Sequence, residues 1–307
     1  LQPAMAWWGV TNTWPLLIVQ LALLAGLVAA TLIDAKYYII PLQIPWLVTG
    51  LAMVALPVAA GFGKIAIVSA ELPPSSYFPA ERLAAVQEPF GTAAAVRAAI
   101  DAGREGAAMV ANQPWTFGAW TWAGIGGFAG LVVSIVLLRL RVLPQSFADD
   151  PIAHDQVGGE SNESPDAFLA YPHARREMIK ELAFVALPIA GAVVGYLVMR
   201  DQTGPMQLWI NVLGGVLVGY LAGGAVVWGT RILGTLGFGK EAMGLGDVHL
   251  MAAVGAVAGW RVAVAAFFIA PFFGLAWAVL SAGASKLLKR EVKVIPYGPH
   301  LAVASVL

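Results

Sequence analysis

The chain has 307 residues, 59% of them hydrophobic and 12% charged, against roughly a quarter charged in an ordinary soluble domain. Its 18 basic and 18 acidic residues cancel, and no basic tract stands out that would select nucleic acid as a partner. There is no cysteine, which excludes a disulfide framework or a thiolate zinc site within the chain.

Apolar segments recur along the whole length, and a helix needs about 20 apolar residues to cross the hydrocarbon core. The chain therefore reads as all-α, a polytopic membrane helix bundle of about seven or eight transmembrane segments forming one domain over 1–307, with lipid as its surroundings. Spans are predicted near 14–33, 42–62, 116–138, 182–199, 207–230 and 262–282. A shorter segment, 248–260, either thins the bilayer or forms a half-buried pair with the helix after it, and 297–307 begins one more. The first segment has no basic lead and is too long for the apolar region of a signal peptide, so it is expected to span. The chain opens on Leu1 and stops inside an apolar stretch, so both ends read as cut.

Two polar insertions interrupt the spans. The outer one, 63–115, opens with Pro73-Pro74-Ser75-Ser76, continues through an alanine-rich stretch and is expected to contain helix. The inner one, 142–178, passes through Asp149, Asp150, Gly158, Gly159, Ser161 and Asn162, a composition typical of a flexible loop. Its end, His173-Ala174-Arg175-Arg176-Glu177-Met178-Ile179-Lys180-Glu181, reads as an amphipathic helical lead-in. If the turn holding Asp34 is cytoplasmic, strict alternation gives the cytoplasmic side a two-to-one excess of Lys and Arg, as inner loops should have. The same parity puts Asp34 and Asp247 on that one face.

An acid at membrane depth costs roughly 2.5–3.5 kcal/mol at a helix centre and less near an end. Asp34 closes an apolar run in Thr31-Leu32-Ile33-Asp34-Ala35-Lys36-Tyr37-Tyr38-Ile39-Ile40-Pro41, and Asp247 sits in Met243-Gly244-Leu245-Gly246-Asp247-Val248-His249-Leu250. Each alone has a plain explanation: Asp34 as an interfacial acid paired with Lys36, and Asp247 as a helix N-cap. Together they suggest one site. Two carboxylates a few ångströms apart cannot both ionise easily, so they share a proton and titrate as a pair. The ionised member can activate water while the protonated one polarises a carbonyl and later donates to the leaving amine, the aspartic-protease pattern, for which no metal, cofactor or nucleophilic side chain is required. Gly244 and Gly246 suit such a site, because backbone without Cβ approaches an extended peptide closely and takes φ values closed to other residues. Simple helix punctuation would explain the same glycines.

The segment from Asp34 to Pro41, followed by an apolar helix with Trp46 and Gly50-Leu51, resembles the first catalytic segment of the bacterial type IV prepilin peptidases, GxGD membrane aspartic proteases. Gly239-Lys240-Glu241-Ala242-Met243-Gly244-Leu245-Gly246-Asp247-Val248-His249-Leu250 resembles their GxGD segment. Ala252 to Trp260 and Ile295-Pro296-Tyr297-Gly298-Pro299 are similar to the family's segments beyond that motif. The resemblance implies a membrane endopeptidase that removes the leader of prepilins or secretion pseudopilins after a glycine. The reaction would take place on the cytoplasmic side of the inner membrane, with Asp34 and Asp247 as the catalytic pair and Gly244 and Gly246 as motif glycines. Many members also methylate the new N terminus with S-adenosylmethionine, which this chain would need only for that second activity. The chain departs from the pattern in lacking the cysteine pairs of the family's zinc-binding segment, in its long insertions, and in His249, where lysine is usual.

His249, two residues beyond Asp247, points away from it along a helix; it reads as a polar interfacial residue, with a substrate-contact or pH-modulating role as the alternative. His154 and His173 have no companions at metal spacing and read as solvated, and His300 as a packing or interface residue. Trp7, Trp8, Trp115, Trp120, Trp122 and Trp209 cluster near span ends as an aromatic belt, while Gly214, Gly215, Gly219, Gly223 and Gly224 are expected to permit close helix packing. Rival functions are a transporter relaying protons or a cation through the two acids, another GxGD protease of the preflagellin type, and a silent assembly scaffold. No oligomeric state follows from the sequence.

Overall fold

The computed structural model describes residues 10–62, 65–66, 108–109, 118–146, 174–201, 207–239, 242–288 and 297–306. Within them lie helices α1 (Val10–Tyr37), α2 (Gln43–Gly61), α3 (Ala119–Arg139), α4 (Ala174–Met199), α5 (Leu208–Phe238), α6 (Leu245–Ala258), α7 (Trp260–Leu288) and α8 (Tyr297–Val306). Two strands of two residues each, β1 (Ile65–Ala66) and β2 (Ala108–Met109), pair in parallel at the two ends of the outer insertion. The helix expected inside that insertion, the Trp7, Trp8 and Trp115 positions, and His154 and His173 lie outside the described residues.

Six helices are long and apolar enough to cross a membrane, at Trp14–Tyr37, Gln43–Gly61, Ala119–Arg139, Ala174–Met199, Trp209–Phe238 and Trp260–Ala282. Apart from these two short strands and the connecting turns, the described residues form a multi-pass membrane bundle of helices. Large apolar side chains such as Leu275, Val279 and Leu280 on α7 and Val193, Val194 and Leu197 on α4 stand exposed on its outer surface, as lipid-facing residues do.

Several boundaries differ from those predicted, each for a local reason. α1 runs past Asp34 to Tyr37, and the chain leaves it where Tyr38 takes a left-handed φ of 58° and its amide bonds the Asp34 carbonyl at 2.8 Å. The amphipathic lead-in and the fourth span form one continuous helix, α4. α5 extends to Phe238 and ends on Gly239, whose φ of 72° makes it a left-handed C-cap bonded to the Thr235 carbonyl.

The largest correction concerns α6. It was expected either to thin the bilayer or to stand half-buried, and instead ten of its 14 residues are buried, so protein rather than lipid surrounds it. A 14-residue helix is about 21 Å long, shorter than the hydrocarbon core of about 30 Å, but a helix enclosed by protein can carry the chain across without matching that thickness. Glycines make this centre tight: a Cβ on Gly219 of α5 would strike the Gly255 carbonyl of α6, and one on Gly223 would strike that of Met251. Close backbone approach of this kind suits helices in lipid, where association depends on packing. The core then continues through Val248, Met251, Val254 and Val257 of α6 to Leu16 and Val19 of α1, Leu56 of α2 and Leu301 of α8.

Candidate active site

Three helix ends and one turn meet at one end of this core. Asp34 lies in the last turn of α1 and is 5% exposed; its carboxylate accepts the backbone N–H of Gly298 at the start of α8. Asp247 is 9% exposed and lies in the first turn of α6. It is not itself the N-cap, the plain role the sequence allowed it. Gly244 is the N-cap, and Asp247, three residues on, turns back so that its carboxylate accepts the Gly244 amide. This is one half of a capping box, and it satisfies a free amide while setting a negative charge on the positive helix end.

The turn between α1 and α2 joins these pieces through Ile40. A Cβ on Gly246 would stand 2.8 Å from the Ile40 Cβ, and one on Gly298 would stand 3.2 Å from the Ile40 Cδ1 and 2.5 Å from the Asp34 Oδ2. Glycine at both places lets the first turns of α6 and α8 close on the end of α1. The two carboxylates fall within each other's electrostatic reach. Lys36, the expected partner of Asp34, turns instead to the Tyr37 ring, its Nζ 4.9 Å from the centroid. Gly244 has a φ of −71° and Gly246 a helical one, so neither uses the conformational freedom that motif glycines were expected to need. What Gly246 supplies is space.

His249 stands half-buried beyond this pair, on the next stretch of α6. Its Nδ1 accepts the Trp46 indole N–H of α2 at 3.4 Å, and the rings meet edge to face with centroids 5.9 Å apart. That contact fixes the imidazole against α2 rather than against Asp247. The His300 ring stands beside Gly274 of α7. Among the described residues, no group of three or more His, Asp or Glu side chains converges as a metal site would.

Residues 180–279, from α4 through most of α7 and including Asp247, match a profile described as the type IV leader peptidase family. The leader peptidase HopD of Salmonella typhimurium is 32% identical over 117 residues, which are 37% of this chain and 67% of that protein. The chain belongs to the type IV leader peptidase family. It is also 31% identical over 134 residues to the prepilin leader peptidase/N-methyltransferase of Aeromonas salmonicida, covering 40% of this chain and 45% of the relative. The Escherichia coli protein of the same name is 34% identical over 111 residues, 36% and 46% of the two chains. This family member thus spans about half the length of those two relatives. No solved structure matches it.

Within the family segment, three residues to which the sequence assigned no role in the site, Arg231, Glu181 and Trp228, form one buried polar cluster. Arg231, 3% exposed, is the one charged residue of the 31-residue helix α5, and that isolation was the available signal. Its guanidinium meets the buried Glu181 of α4, with Nη2 3.1 Å from Oε1, and the Trp228 indole N–H donates to the same carboxylate at 2.6 Å. Outside the segment, Gly298 was quoted only as part of a resemblance, and only the fold shows it touching Asp34.

Proposed function

We propose that this protein is an integral membrane aspartic endopeptidase that cuts the leader from type IV prepilins or pseudopilins after a glycine. It would do so on the cytoplasmic side of the inner membrane. The observation that carries this reading is the burial of Asp34 and Asp247 together where α1 ends and α6 begins, each held by a glycine amide and each within the other's field. Such a pair holds one proton more readily than none. The ionised acid takes a proton from a water, which attacks the scissile carbonyl; the protonated acid polarises that carbonyl and then donates to the departing amine. The proton gained by the first acid and the one given by the second balance, so the pair returns to its starting state after one further exchange with water.

Orientation is supported by the two-to-one excess of Lys and Arg on the side where the acids lie. The Aeromonas and Escherichia relatives carry N-methyltransferase in their names and the Salmonella relative does not. The peptidase step uses only the acids and water; S-adenosylmethionine would enter with a methyl transfer alone.

The test is leader removal from a purified prepilin by the protein in detergent. Asp34→Asn and Asp247→Asn should each abolish cleavage while the protein still inserts in the membrane. Robust cleavage by either variant ends the dyad reading.

A further inference from the structure

Arg231 lies about 10 Å from the end of α5, counting seven residues from Phe238 at 1.5 Å each, which is an expensive place for a cation in a membrane bundle. Its pairing with Glu181 neutralises the charge, yet a buried ion pair adds little stability over a well-packed apolar pair, so stability alone does not account for it. The guanidinium fork has one further arm. Nε lies 3.3 Å from each Glu181 oxygen and Nη2 3.1 Å from Oε1, while Nη1 donates to the carbonyl of Met243.

Met243 precedes Gly244, so its carbonyl and the Gly244 N–H belong to one peptide group. That group accepts from Arg231 through its oxygen and donates to the Asp247 carboxylate through its nitrogen. A cation on the oxygen polarises the peptide and makes its N–H a stronger donor, the cooperative strengthening of chained hydrogen bonds. The same loop is pinned a second time by α5, where the Thr235 hydroxyl accepts the Ala242 amide at 3.1 Å. Arg175, in the first turn of α4, holds the α5 end itself, with Nε on the Leu236 carbonyl at 3.0 Å.

We propose that Arg231, anchored by Glu181, is a positioning residue: through the Met243–Gly244 peptide it holds the Asp247 carboxylate in its reactive place. The inference rests on the reading of Asp247 as a catalytic acid. Lysine cannot replace it fully, because an ammonium lacks the fork needed to hold a carboxylate and a carbonyl in two directions.

The experiment measures kcat and KM for prepilin cleavage, together with thermal melting in detergent, for Arg231→Gln, Arg231→Lys and Asp247→Asn. Misplacing a reactive group by about 1 Å costs on the order of 100-fold. Arg231→Gln should therefore lose kcat on that scale with KM changed less than about twofold, since the loss falls on the transition state rather than on binding. Arg231→Lys should keep the wild-type melting point and a lowered kcat. If Arg231→Gln does not assemble, the lysine variant decides alone: lowered kcat at unchanged melting supports the positioning role, and full kcat overturns it. Full kcat for Arg231→Gln, or a loss confined to KM, also overturns it. Cleavage by Asp247→Asn would instead bring down the catalytic reading, and this inference with it.

Discussion

The backbone amide of Gly298 donates to the carboxylate of Asp34, and a side chain at that glycine would begin 2.5 Å from the Asp34 Oδ2. The N terminus of α8 therefore both holds the acid and touches it with nothing larger than hydrogen. Gly298→Ala should force α8 off the end of α1 or push the carboxylate aside. An overpacking cost of about 1–3 kcal/mol is expected in the melting transition, with a cleavage rate below that of the unaltered protein. Wild-type rate and melting for Gly298→Ala would show that α8 does not close on Asp34.

A dyad sharing one proton works only in its singly protonated form. At low pH both acids are protonated and no base remains; at high pH both are ionised and no proton is left to donate. The rate of leader cleavage should therefore rise and fall as a bell with pH, its two limbs belonging to the pair rather than to either acid. A rate that climbs to a plateau without a descending limb would assign a single acid to the reaction. Cleavage measured across the pH range on one prepilin decides it.

Glu181 neutralises Arg231 in a buried setting, so truncating it leaves a cation without its counter-charge. Glu181→Ala should lower stability by about 3–5 kcal/mol, whereas Glu181→Gln keeps an acceptor for the Trp228 and Arg231 donors and should lose less. By contrast, Lys180 is partly exposed and pairs with the buried Glu177 one turn earlier at 2.8 Å, so water partly screens that pair and Lys180→Ala should lower stability less than Glu181→Ala does. Melting of the three variants in one detergent gives the order.

The chain has no cysteine, so single cysteines can be placed without removing any. Tyr38→Cys beside Asp34 and Leu245→Cys beside Asp247 are at exposed positions and should both react with an impermeant thiol reagent from the cytoplasmic side. Phe62→Cys, at the far end of α2, should react from the opposite side. Labelling of the first two from different sides would separate the acids.

The number and order of the long helices were legible in the sequence because a bilayer imposes a length and an apolar composition that few other constraints produce. Asp34 and Asp247 were legible for the same reason, since a carboxylate beside an apolar run stands out against its surroundings, and alternation of spans put them on one face. Composition also marked α6 as short. What it could not show was that α6 lies buried at the centre, because an all-round apolar helix looks alike whether protein or lipid covers it; Gly219 against Gly255 and Gly223 against Met251 made that decision.

The surroundings of the acids belong to the tertiary structure alone. Gly298 lies 264 residues from Asp34 by number and reaches it only because α8 packs against α1. Arg231 reaches the peptide beside Asp247 only because α5 ends on a left-handed Gly239 and Ala242 and Met243 lie back against that helix. Hydrogen bonds between segments so far apart have no periodicity or spacing to announce them. The sequence by itself determined that two acids stand beside long apolar runs; packing decided which amides and which cation hold them there.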